Sequence, residues 1–252
     1  MSVFGPYSRY YDLLYRDKDY DGEVEYVAGL LRRHSKRPVR SVLDVGCGTG
    51  SHDLLLAGRG FEVDGVDRSE DMIRVARARA SGRNGLRFHV GDAASFRLGK
   101  QCDTAVSLFH VMSYQTSNEA LEGSFATVRE HLHEDGVFVF DFWYGPGVLT
   151  ERPSVQVKRM EDEAIRVLRV ATPVLDSSRN VVDVNYEVLV EDKETGHLDR
   201  FTETHSMRFL FKPELDYMLG RVGFRAVDFL EWMSTDGRPG LSTWNACVVA
   251  VK

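Results

Sequence analysis

The sequence predicts an α/β fold, a doubly wound and mostly parallel sheet with an antiparallel sheet inserted after its fifth strand. Three observations carry that prediction. The run Arg40-Ser-Val-Leu-Asp-Val45 ends in Gly46-Cys-Gly-Thr-Gly50, as a strand covered on both faces does where it turns sharply into a helix beside a ligand. Strand-like and helix-like segments then alternate as far as Phe138-Val-Phe140, the order of a parallel sheet. From Val155 to Phe211 apolar and polar residues alternate, as in Val182, Val184, Tyr186 and Val188, which is the period of half-buried antiparallel strands.

The elements follow in order. Helices are expected around Tyr7 to Arg16 and Asp21 to His34, the latter with Val24, Val27, Leu30 and Leu31 at helical spacing. The second strand ends at Asp67, before a helix start marked by Ser69 and Asp71. The third, Leu86 to Val90, ends in Gly91-Asp92-Ala93, and the fourth, Cys102 to Leu108, in Phe109-His110. A helix from Asn118 to His133 precedes the fifth strand, with His131 and His133 expected at its surface. After the insertion come a helix from Pro213 to Val222, a break at Gly223, and strands from Phe224 to Leu230 and Trp244 to Val251. The chain reads as one domain, 1–252, with a helical lid over 1–37 and an inserted sheet over 153–211, since no Pro/Ser/Gly-rich linker divides it.

Glycines at alternate positions let a ligand lie on the backbone, so Gly46, Gly48 and Gly50 point to a nucleotide-like cofactor. The dinucleotide fingerprint Gly-x-Gly-x-x-Gly is broken at its sixth position by Ser51. A nicotinamide-dependent oxidoreductase is therefore the disfavoured alternative. Asp67 follows at the distance, about 20 residues, at which a second strand tip reaches a ribose; its plain reading is a helix cap. Asp64 lies before that tip. Asp92 reads as a cofactor acid or a turn acid, and Met72 as an adenine contact or core.

With 252 residues, 43% of them hydrophobic, the chain can bury one core and carry an insertion. Its formal charge of −6 argues against binding nucleic acid through phosphate neutralisation. Three cysteines, Cys47, Cys102 and Cys247, are too isolated for a disulfide framework or a zinc pattern, so no metal is expected and the compartment should be reducing. A start without a basic and then an apolar stretch, and no apolar run of spanning length, lead us to expect a cytoplasmic protein with no membrane partner.

The segment Asp44-Val-Gly-Cys-Gly-Thr-Gly50, with Asp67 and Asp92 on the next tips, resembles the class I S-adenosylmethionine (SAM)-dependent methyltransferases, which are Rossmann-like. That resemblance implies roles. Asp44 lies near the methionine end of SAM, Asp67 takes the ribose hydroxyls, Asp92 the adenine amine, and Met72 packs on adenine. Gly46, Cys47, Gly48, Gly50, Arg68, Gly91, Ala93 and Leu108 complete the cofactor set.

Tyr10-Tyr-Asp-Leu-Leu-Tyr-Arg-Asp-Lys-Asp-Tyr20, the Gly-Thr-Gly-x-His52 extension, the Phe109 to Tyr114 segment and the strand-rich insertion resemble enzymes that dimethylate nucleotide-linked 3-amino-deoxysugars. By that likeness Tyr11 and Tyr20 close a lid over SAM and His52 joins the cofactor site. A small acceptor, such as a nucleotide sugar, is the implied partner, with a homodimer through the inserted sheet. Where those enzymes carry a histidine after the fourth strand, Tyr114 stands here. His110, chosen because histidine is the residue type that exchanges protons most readily near neutral pH, and Tyr114 are the catalytic candidates; Asp141 joins the polar groups expected near the methyl. Phe142, Trp143, Tyr144, Arg159 and Arg166 are the acceptor candidates, with core packing or a solvated sheet face as the plain alternatives. O-methylation of another metabolite and a non-catalytic SAM-binding protein are the remaining alternatives.

Overall fold

In the computed structural model the described residues are Tyr10 and 13–252. Tyr11, and half of the helix expected around Tyr7 to Arg16, lie outside them. The core alternates as expected: α1 (Tyr20–His34), β1 (Ser41–Val45), α2 (Ser51–Gly58), β2 (Glu62–Asp67), α3 (Glu70–Arg79), β3 (Leu86–Val90), β4 (Cys102–Ser107), a short 3-10 turn (Val111–Tyr114), α4 (Asn118–Glu130) and β5 (Leu132–Trp143). A one-and-a-half-turn helix, α5 (Gly145–Thr150), leads into β6 (Gln156–Glu161), β7 (Ile165–Asp176), β8 (Val181–Asp192) and β9 (Leu198–Arg208); then come α6 (Lys212–Arg221), β10 (Arg225–Glu231) and β11 (Asn245–Val251).

Local chemistry starts the helices. Asp19 caps α1 by accepting from Gly22 N, Ser69 caps α3 from Met72 N, and Ser117 caps α4 from Ala120 N. Acids in the first turn of α1 and Arg32, Arg33 and His34 in its last turn match the helix dipole.

The large sheet runs β10-β11-β5-β4-β1-β2-β3. Pairs from β3 through β5 are parallel, and β11 is antiparallel to both β5 and β10. Strand order reverses between β1 and β4, so the chain leaves those neighbouring tips in opposite directions and opens a crevice there. Both faces are covered. On β5, Phe138, Phe140 and Phe142 pack toward α4 and α6, while Val137 and Val139 pack with Val42, Val106 and α1.

The inserted sheet is a meander, β6-β7-β8-β9, antiparallel throughout. Val167, Val188 and Val190 of one face pack on Tyr10, Leu14 and Met72, which brings the insertion over the crevice. Backbone bonds anchor its base: Gly145 N donates to Leu210 O, and Leu210 N to Trp143 O.

One expectation at the end of α4 is corrected. The helix stops at Glu130, His133 lies in β5, and His131 is buried rather than at the surface. Its Nε2 accepts from Leu98 N at 2.9 Å and its Nδ1 lies 2.8 Å from Thr127 O, so it knits helix to loop. Among the described residues, no helix is long and apolar enough to cross a membrane, and no cluster of three or more His, Cys, Asp or Glu residues is arranged to hold a metal.

Candidate active site

The β1 turn folds back on β2: Gly46 N and Cys47 N donate to Val66 O at 2.7 and 3.1 Å. Gly46 and Gly48 take φ of +84° and +55°, conformations that other residues adopt with strain. Their surroundings differ. A Cβ on Gly46 would stand 2.5 Å from Val111, whereas one on Gly48 would meet nothing within 4 Å. Gly48 thus presents bare backbone to a cavity, and its N–H donates to Asp67 Oδ2 at 3.0 Å.

Asp67 also accepts from Ser69 N through Oδ1, at 2.8 Å. It therefore braces the start of α3 and lines the cavity at once. Each oxygen holds one backbone N–H and has capacity for a further donor, the arrangement a vicinal diol requires. Burial raises its pKa, against the pull of the two backbone bonds.

Asp44 does not reach that wall. It is 1% exposed, and burial first, then the Asp53 and Asp67 carboxylates, push its pKa up. Asp53, on α2, is pushed up to about 7, mainly by burial with Asp67 adding to it. Gly50 is also off the wall: a Cβ there would strike the Phe88 ring at 2.8 Å, so this glycine serves the packing of α2 against β3. Asp64, the acid behind the second tip, is buried among Arg87, His89 and Lys100. Burial opposes its ionisation, but those bonds bring its pKa down to about 2.

The other strand tips meet the same cavity. Cys47, Arg68, Met72, Gly91, Asp92, Ala93 and Leu108 line it. Asp92 is also a turn acid, since its Oδ1 accepts from Ala94 N at 2.9 Å. Tyr20 and His52 lie on the N-terminal side, ring centroids 4.9 Å apart and edge to face. His52 Nε2 contacts Glu23 Oε2 at 2.8 Å, and Lys18 bonds the same carboxylate. Burial works to raise the Glu23 pKa, but those two partners hold it below the usual range. Lys18 Nζ sits 4.6 Å from the Tyr20 ring centre and 4.7 Å from that of Phe109, and Tyr15 meets Phe109 edge-on. Tyr15, which sequence reasoning did not single out, and Phe109, from the segment that carries His110 and Tyr114, thus help close the cavity.

His110 and Tyr114 both face the cavity from the segment after β4. Phe109 and His110 adopt φ of +69° and +63°, a strained pair for residues with a Cβ. Asp141, fully buried on β5, compensates: both its oxygens lie 3.2 Å from His110 N, and Oδ2 lies 2.6 Å from His110 Nδ1. The imidazole contact is close but off the axis of an aligned hydrogen bond. Asp141 therefore sits behind His110 as an orienting group.

Tyr114 Oη lies 2.8 Å from Nδ1 of His205, which enters from β9. With Tyr186 and Met207 it forms the insertion's share of the wall. These three were missed by sequence reasoning, although a signal existed. Phe201, Glu203, His205 and Met207 share one face of β9, and polar groups on an otherwise apolar strand face ask for a partner.

Of the acceptor candidates, only Trp143 lines the cavity. Strand alternation turns Phe142 and Tyr144 to the opposite face, where both pack on Phe229. Arg159 and Arg166 are also excluded by register. Arg159 pairs with Leu168, Arg166 neighbours Val167 in β7, and the cavity side carries Val167 and Ala171 instead. Arg166 is bound by Glu161 and Glu191 on the exposed face.

A methyltransferase-domain family model matches residues 42–136, which span this glycine turn and the following strand tips. A dTDP-3-amino-3,4,6-trideoxy-alpha-D-glucopyranose N,N-dimethyltransferase of Streptomyces venezuelae is 31% identical over 224 residues, 88% of this chain and 90% of that enzyme. The chain belongs to the SAM-dependent methyltransferases. This methyltransferase is also similar to the crystal structure of Streptomyces venezuelae DesVI, at 28% identity and a TM-score of 0.80 over 97% of this chain and 98% of that one. SAM-bound CalS10, an amino pentose methyltransferase from Micromonospora echinaspora, is 25% identical with a TM-score of 0.75, over 98% and 97% of the two chains. The oxidoreductase and non-catalytic alternatives give way to a methyltransferase enzyme. The residues present fit its cofactor, with bare backbone at Gly48, a carboxylate with capacity for two more donors at Asp67, and apolar walls at Met72 and Leu108.

Proposed function

We propose that this methyltransferase acts on the amino group of a nucleotide-linked deoxyaminosugar, adding two methyl groups in succession. The observation that carries the reading is its 31% identity to a dTDP-aminosugar N,N-dimethyltransferase across 88% of the chain. A likeness of that extent reaches beyond the cofactor half into the insertion, which builds the far wall of the cavity.

On this reading Asp67 holds the ribose hydroxyls and Met72 and Leu108 enclose the adenine. Asp92 and the Ala93 N–H meet its polar edge. Gly46, Cys47 and Gly48 supply the backbone surface for the amino-acid portion, beside Tyr20 and His52. When bound, SAM supplies a methyl group already activated by its sulfonium. The protein's task is then placement and proton removal. Trp143 offers a ring face to the sugar. Each round leaves a proton on the alkylated nitrogen, and His110, with Asp141 beside Nδ1, has Nε2 to receive it. Tyr15, Tyr20 and Phe109 keep water from the reacting atoms.

We also propose that the chain works as one domain in the cytoplasm, with neither nucleic acid nor membrane as a partner. Exposed Val157 and Val174 on the outer side of the inserted sheet support pairing of two copies there. The functional reading is tested by following labelled methyl transfer from SAM to dTDP-linked aminosugars, with phenols and simple amines as competitors.

A further inference from the structure

Tyr114 and His205 come from segments 91 residues apart and meet on the cavity wall at 2.8 Å. The imidazole is held on several sides. It is 3% exposed, and the Tyr186 ring stands edge-on to it at 5.0 Å between centroids. Its second nitrogen, Nε2, lies 3.7 Å from Glu203 Oε1, an oxygen that also accepts from Tyr10 Oη at 3.0 Å. At 3.7 Å the carboxylate is beyond hydrogen-bond distance, but its charge favours the proton on Nε2 and leaves the other nitrogen as an acceptor. Nδ1 then accepts from the Tyr114 hydroxyl. A hydroxyl has one proton, and with it committed to His205 the phenol oxygen meets the cavity only as an acceptor. Burial raises the Tyr114 pKa, so the phenol keeps that proton and is no base itself.

We propose that His205 is a positioning residue that fixes Tyr114 as an acceptor of N–H bonds, so that the site holds nucleophiles which carry an N–H and releases them when none is left. The inference rests on the aminosugar reading and deepens it. A neutral primary amine has two N–H bonds; once the proton left by each transfer has passed to His110, the monomethyl product has one and the dimethyl product none. Tyr114 therefore orients the lone pair for a first and a second transfer but not for a third. Methyl count follows from hydrogen-bond polarity, and an acceptor that offers no donor is poorly held. The insertion supplies His205, which couples this selectivity to the sheet that covers the crevice.

Two measurements test the proposal. Nitrogen-15 shifts of the histidines in the intact protein should show His205 with its proton on Nε2; a Nδ1–H tautomer or an imidazolium overturns the assignment. Kinetics with a dTDP-linked aminosugar and its monomethyl form come second. Tyr114→Phe and His205→Leu should each lower kcat/KM for the acceptor roughly tenfold or more, non-additively when combined, with SAM affinity unchanged. His205→Asn, whose amide oxygen takes the place of Nδ1, should recover most of the loss. Equal behaviour of His205→Leu and His205→Asn, or additive losses in the double variant, contradicts the positioning role alone. Transfer by the wild type to hydroxyl acceptors and to no amine contradicts the functional reading as well.

Discussion

Gly48 N–H donates to Asp67 Oδ2 at 3.0 Å, which ties the tip of β1 to the tip of β2 in the floor of the cavity. One carboxylate thus shapes the glycine turn, braces α3 through Ser69 N, and faces the cavity. Asp67→Ala should weaken SAM binding by roughly 1–3 kcal/mol, the usual range when polar partners are left unpaired. Calorimetric titration checks this, and unchanged affinity would remove Asp67 from the ribose site.

The two glycines should separate stability from binding. Gly46→Ala adds overpacking against Val111, typically about 1–3 kcal/mol, to the left-handed strain of roughly 1–2 kcal/mol. Gly48→Ala carries only the strain term, because its Cβ meets no atom within 4 Å. It should stay folded yet lose SAM affinity. Denaturant unfolding and SAM titration of both variants check the contrast; equal destabilisation would show that Gly48 is a packing residue.

Much of this site was legible before the structure, for a physical reason. A turn that exposes backbone must write glycines into the chain, and strand tips that hold polar ligands must end in acids or small residues. Gly48, Asp67 and Asp92 could therefore be placed on one edge from sequence. Adjacent aromatics carried less information. Phe142-Trp-Tyr144 reads as one cluster, but the strand sends Trp143 to the cavity and its neighbours to Phe229. Likewise, Asp44 reads like its neighbours in the motif, and only burial against Asp53 separates it from them. His205 was the largest omission. Alternation on β9 tells which residues share a face, but the overhang of that face above Tyr114 is set by long-range packing.

Asp53 gives a pH prediction. Its folded pKa, raised to about 7 from an ordinary 3.8, means that the folded state binds more protons than the unfolded chain between those values. Its contribution to stability is therefore fully present below about pH 4 and is lost as pH rises through 7. Asp64, lowered to about 2, has the opposite sign: its contribution is present above about pH 4 and is lost as pH falls through 2. Urea unfolding at pH 5 and pH 8 should show the wild type losing more stability on alkalinisation than Asp53→Asn. Equal losses would place the raised pKa elsewhere.

His110 is best replaced by asparagine, which tolerates the left-handed backbone at this position. His110→Asn should lower turnover by about 10²-fold, the scale of general-base help, while SAM affinity stays nearly constant. Steady-state kinetics with a SAM-binding control checks it. Undiminished turnover would mean that placement alone suffices for an amine arriving deprotonated.

The most direct test is mass analysis of products after incubation with SAM and a dTDP-linked aminosugar, alongside phenolic and simple amine competitors. The aminosugar should gain two methyl groups on nitrogen, passing through a monomethyl intermediate and stopping there even with excess SAM. Methylation of a competitor hydroxyl, with the aminosugar returned unchanged, would contradict the account.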